Sequence, residues 1–170
     1  MKKLIFLTLI TALIFSCKPD DQPVPEGEVS FHLLTSFETF DNFKIHEASI
    51  LWDSNVYLSY DDLEAYDPDS YSFKLSEEAI EFLDSQEFDV HGTGFVVVAG
   101  EEPVYTGYFW PAYSSMSCDW LVADPLMAEI TGELRMRLGY PGGGLDGMIP
   151  DKRNTDIILD IFRRDGKLIE

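Results

Sequence analysis

Hydropathy divides the chain into three stretches of unlike character. Lys2 and Lys3 precede an uncharged apolar run from Leu4 to Phe15, followed by Ser16 and Cys17. A helix needs about 20 apolar residues to span a bilayer, so a shorter run behind a basic start predicts a cleavable export signal over residues 1–16. From Lys18 to Glu28 the chain carries Pro19, Pro23 and Pro25 among Asp20, Asp21, Glu26 and Glu28. With so little apolar surface to pack, residues 17–28 are expected to form an extended tether reaching roughly 30 Å at about 3 Å per residue. Residues 29–170 hold no second run long enough to span, and their length suits one globular domain.

Within that domain the polarity alternates or recurs in short units. Val29–Leu34 and Ile50–Tyr60 predict extended stretches. Asp62–Tyr66, the turn Asp67-Pro68-Asp69-Ser70, and Tyr71–Leu75 predict a strand pair, with Tyr71, Phe73 and Leu75 on one face. Ser76 is placed to cap a helix that has Glu77 and Glu78 in its first turn and Ala79, Ile80 and Leu83 facing inward. Phe95–Ala99 and Val104–Trp110 read as a hairpin across Glu101-Glu102-Pro103. Ile130–Tyr140 alternates, setting Leu134, Met136 and Leu138 against Arg135 and Arg137. A glycine-rich loop follows at Pro141–Gly144. A last helix is expected from about Thr155 to Arg164, with Asn154 as its cap and Gly166 ending it. The expected fold class is α+β, an antiparallel sheet with about two helices on one face.

Charge narrows the function classes. The formal net charge is −19, and loss of Lys2 and Lys3 with the signal takes it to −21. Residues 18–133 contain three lysines, no arginine and 25 acidic residues, whereas residues 134–170 contain seven basic and six acidic ones. No basic stripe is available for phosphate contacts, so nucleic acid is excluded as a partner. An acidic body is also repelled by anionic lipid, which leaves any membrane contact to an anchor.

The step Ile14-Phe15-Ser16-Cys17 resembles a bacterial lipobox, with Phe15 departing from the small residue usual before Ser16. That resemblance implies cleavage before Cys17 and lipidation of its sulfur with diacylglycerol and palmitate-type chains; two or more acyl chains hold a protein firmly on a membrane. With Cys17 modified, Cys118 has no intramolecular partner, so a disulfide framework is not expected. The following Lys18-Pro19-Asp20-Asp21 is similar to the acidic tags that route Bacteroidota lipoproteins to the outside of the outer membrane. Further on, the order strand, turn, strand ending in Phe73-Lys74-Leu75, helix from Ser76-Glu77-Glu78-Ala79, the Phe95–Ala99 strand and Val104-Tyr105-Thr106-Gly107 resembles a periplasmic head subdomain of the SecD export subunit. It implies a small α+β unit with helices on one face; SecD's membrane helices are absent, so no translocation role comes with it.

Candidate chemistry is sparse. Asp67-x-Asp69-x-Tyr71 with Glu78 imitates a calcium loop but offers Tyr71 and Ser72 where a ligand and a glycine are needed. Looser divalent binding by Asp61, Asp62, Glu64, Asp67 and Asp69 is the remaining metal reading, and no metal or other cofactor is expected. Ser114, Ser115, Ser117, Cys118 and Asp119 sit together, yet His32, His46 and His91 have no motif spacing to them, and no G-x-S-x-G elbow occurs. The run Gly139–Gly144 matches neither a dinucleotide fingerprint nor a P-loop. Arg135, Arg137, Lys152 and Arg153 could receive an anion or pair within the acidic domain. Tyr105–Tyr113 is the densest aromatic stretch, and exposed Tyr or Trp rings suit sugar faces or protein hot spots. The expectation is a lipid-anchored envelope protein, not an enzyme, that binds a glycan or an envelope protein through Tyr108, Trp110, Tyr113, Ser114 and Ser115. The alternative is an envelope enzyme using Cys118 or the Asp61–Asp69 carboxylates.

Overall fold

A computed structural model describes residues 25–142 and 147–170. The expected export signal, the expected lipidation site Cys17, most of the expected tether and Gly143–Gly144 lie outside the described residues. In chain order the elements are β1 (Val29–Ser36), β2 (Thr39–Phe40), β3 (Lys44–Ile45), β4 (Leu51–Trp52), β5 (Leu63–Asp67), β6 (Ser72–Leu75), α1 (Glu77–Asp84), β7 (Thr93–Ala99), β8 (Glu102–Phe109), β9 (Cys118–Ala123), α2 (Pro125–Thr131), β10 (Glu133–Tyr140) and α3 (Asp156–Arg164). Eight strands form one sheet in the order β4-β1-β7-β8-β9-β10-β6-β5, and β2 and β3 form a separate two-stranded ribbon. Every pairing is antiparallel except β8 with β9. The fold is mixed α+β.

The sheet is strongly curled. β1 and β6 are five strand spacings apart, about 24 Å if the sheet were flat. Yet the ring of Phe31 on β1 lies 5.3 Å from that of Phe73 on β6. The concave face therefore closes on itself, and Phe31, Phe73, Phe95 and Phe109 meet at its centre. Three helices close the open side. α3 inserts Phe162 against Tyr66 and Phe73, at 5.5 and 5.8 Å. α1 sets Phe82 on Tyr57, which packs on Phe109, and α2 packs on α1 and β10. The convex face carries Val96, Thr106, Tyr108 and Val122 in register. The β2–β3 ribbon and the segment behind it cover that face through Phe37, Phe43 and Ile50.

Local chemistry accounts for the elements and for departures from the sequence reading. Ser76 Oγ accepts from the Ala79 N–H and starts α1, with Ala79 and Leu83 buried. The stretch expected to be one strand from Ile130 is divided: Asp124 Oδ1 accepts from the Leu126 N–H, Pro125 opens α2, and Gly132 ends it at φ +72. Ile130 is thus helical, the α-helices among the described residues number three, and β10 begins at Glu133. Of Ile50–Tyr60 only Leu51–Trp52 is a strand, joined by one bridge from Leu58 to Phe31.

Asn154 does not cap α3. Thr155 holds the cap position, and Asn154 instead accepts from Tyr66 Oη at 2.8 Å and donates to the Pro68 carbonyl. Tyr71 leaves the strand face at φ +57, and its ring takes the Arg153 guanidinium 3.5 Å from its centre. At the far edge of the sheet Lys167–Ile169 pairs with Tyr66 by hydrogen bonds of 2.8 Å on either side. Pro25–Glu28, read as tether, is bonded to the domain.

Candidate functional site

β8 runs into a loop, residues 110–117, before β9 returns parallel to it. The loop is tied down along its first half. Tyr113 Oη donates to the Phe88 carbonyl at 2.8 Å, Ser114 Oγ donates to that of Val90 at 2.7 Å, and Tyr140 Oη donates to that of Ala112 at 3.1 Å. On the other side the ribbon turns through Asp41 and Asn42, both at positive φ, which Asp and Asn tolerate better than other side chains. The next residue, Phe43, donates its N–H to Asp119 Oδ1 at 3.1 Å, fastening ribbon to β9. Between loop, ribbon and the end of β10 lies an open cleft of about 620 Å³. It is lined by the Phe43 and Tyr140 rings, the Asn42 amide, the Ser115 and Ser117 hydroxyls, the Asp119 carboxylate, Met116, Pro141 and Gly142, and by Cys118, which borders it while remaining buried.

The residues expected to bind are only partly brought together. Tyr108 and Trp110, expected to bind a ligand directly, are buried and present no open ring face. Both faces of β8 are covered, so alternation leaves neither aromatic set in water. Phe43 lies over them, 5.9 Å from the Tyr108 ring and 4.9 Å from that of Trp110, and so they form the underlayer of the cleft. Ser114 is buried with its hydroxyl committed, and Tyr113 is exposed with its hydroxyl bonded. Ser115 alone of the five lines the cleft. Asn42, Phe43, Ser117, Asp119 and Tyr140 were not singled out as binding residues. The Asp41-Asn42 turn between two phenylalanines signals the ribbon locally, but its docking on β9 is a long-range event.

Of the groups weighed for catalysis, Cys118 borders the cleft but is buried, and neither the histidines nor Asp62 and Asp67 line it. Cys118 is 1% exposed, and burial pushes its thiol up to about 12. A thiol so placed is protonated at neutral pH and is a poor nucleophile. His32 sits between Ser30 Oγ and the Asp53 carbonyl, His46 stacks on Phe40 beside Glu38, and His91 pairs with Asp89. Asp62 accepts from the N–H and hydroxyl of Ser59. Asp67 accepts from the Ser70 hydroxyl and the Asp69 N–H, bonds that hold its carboxyl below the usual range. Among the described residues no three His, Cys, Asp or Glu side chains are grouped to hold a metal.

The basic group is likewise used internally. Lys152 pairs with Glu47, and Arg153 is buried against Asp151 with one further bond to the Met136 carbonyl. Arg135 donates to the Ser70 carbonyl, and Arg137 lies 5.6 Å over the Tyr140 ring.

The chain matches no protein-family model, no curated protein and no solved structure. Among the described residues no helix is long and apolar enough to cross a membrane.

Proposed function

We propose that this protein is a non-catalytic binding module of the bacterial cell envelope, anchored by lipid on Cys17 at the outer membrane, that takes a neutral glycan in the cleft between Phe43, Ser115 and Tyr140. The observation that carries the reading is the composition of the walls: two aromatic rings with an amide, two hydroxyls and one carboxylate around about 620 Å³. Ring faces cover the apolar side of a sugar, and the uncharged polar groups match its hydroxyls. The low reactivity of a thiol pushed up to about 12 weighs against the enzyme reading through Cys118. The turn bonds made by Asp62 and Asp67 weigh against the carboxylate version.

A panel of neutral oligosaccharides titrated against the lipoprotein in detergent, followed by tryptophan fluorescence, tests the binding half. One of them binds, and Tyr140→Ala and Asn42→Ala each weaken it about tenfold, the loss of one good contact of about 1.4 kcal/mol. Absence of binding across the panel overturns the glycan reading. Metabolic labelling with palmitate, compared with Cys17→Ser, tests the anchor; equal labelling of the two, or none, removes it.

A further inference from the structure

Where the chain enters the folded domain it is clamped from two sides. Arg164, at the end of α3, donates from one guanidinium nitrogen to the Pro25 carbonyl at 2.7 Å and from another to the Gly27 carbonyl at 2.9 Å. Asp165 accepts from Nε of the same guanidinium and from the Nη2 that also serves Gly27, and Tyr60 Oη donates to Asp165 at 3.0 Å. From the opposite side the Gly100 N–H donates to the Glu28 carbonyl at 2.8 Å. Gly27 has φ +94, and a Cβ there would come 2.5 Å from Gly100 Cα, so only a backbone without a side chain passes this point. Arg164 lies 139 residues from Pro25 in sequence. A contact of such separation is not made by the chain's local preferences.

We infer that the Arg164–Gly100 pair is a clasp that fixes the root of the membrane tether at Pro25, making the face of Val56, Gly100 and Arg164 the side turned toward the bilayer. This rests on lipid attachment at Cys17 for its membrane meaning; the clasp itself does not. With the root at Glu28 the span from Cys17 would be eleven residues, and at Pro25 it is eight. At no more than about 3.6 Å per residue the maximum reach falls from about 40 Å to about 29 Å. The domain thus hangs close to its anchor with one side facing it, and the guanidinium fork suits the task because it serves two carbonyls and a carboxylate in one plane.

Glu26 is the first glutamate of the chain, so a glutamate-specific protease reads the clasp directly. In vesicles carrying the lipidated protein, cleavage after Glu26 or Glu28 releases the domain from the sedimenting membrane. Arg164→Ala and Gly27→Ala, which disrupt the clasp from opposite sides, should each speed release about tenfold, with Arg164→Lys in between and the circular dichroism of the domain unchanged. Equal release rates in all four proteins would overturn the clasp. The same cleavage measured on Cys17→Ser in solution separates the two ideas. A variant-dependent rate there, with no palmitate on the unaltered protein, keeps the strap but refutes its role at a membrane.

Discussion

The two faces of the curled sheet are packed by different rules. On the concave face, aromatic rings from β1, β6, β7 and β8 converge with no polar tips among the central four, and three helices seal them. On the convex face, Tyr108, Trp110 and Trp120 mix apolar area with polar atoms under a two-stranded ribbon. Trp120 Nε1 finds Thr106 Oγ1 at 3.1 Å, whereas Trp110 Nε1 finds no partner among the described residues. The concave side is a core in the ordinary sense. The convex side is a core whose lid carries a cleft, and Phe43, which covers Tyr108 and Trp110, also lines that cleft.

That contrast can be broken by substitution. Phe31→Ala should have the largest effect, about 3–5 kcal/mol of stability, because its ring touches three others at the point where the sheet closes; urea denaturation measures it. Arg153→Ala should remove about 2 kcal/mol by stripping Asp151, the Met136 carbonyl and the Tyr71 ring of their partner, and Arg153→Lys should recover only part of it.

Phe43→Ala sharpens the comparison: about 1–2 kcal/mol in the denaturation midpoint, since the ring is half-buried, with a red shift of tryptophan emission as water reaches Trp110. Were the convex face packed like the concave one, Phe43→Ala would cost as much as Phe31→Ala. Ser76→Ala, in neither face, should cost about 1 kcal/mol through the lost helix cap.

Cys118 contributes least at neutral pH. Its thiol loses its proton near 9 in the unfolded chain and near 12 in the folded one, so the folded state holds the extra proton and stability declines as pH rises through that window. Reaction with a disulfide probe at pH 7 should be slow in the native protein and fast in urea. Fast native labelling would show that the sulfur is open to the cleft it borders.

How far the sequence reading carried depends on the range of the interactions. Elements specified by neighbours a few residues apart were legible: Ser76 ahead of Glu77-Glu78, the hairpin of Phe95–Ala99 and Val104–Trp110, and the amphipathic Ile158, Ile161 and Phe162 of α3. The mixed α+β class followed from them. α2 was missed although Asp124-Pro125 and Gly132 bracket it, because the alternation of Leu134, Met136 and Leu138 was extended backward over Ile130. Burial of Tyr108 and Trp110 was beyond local reading. It depends on Phe43 being bonded to Asp119, 76 residues away. The cleft shares that dependence, so its walls could not be assembled from spacing.

The pairing of Lys167–Ile169 with Tyr66 has a consequence for biogenesis. Those residues follow every described strand in the order of synthesis, so the outer flank of β5 stays bare until they emerge. A chain cut before Lys167 would keep that flank open, and exposed strand flanks recruit other strands. Such a truncation should therefore show itself first as self-association during folding, with little change in the helical layer on the concave side.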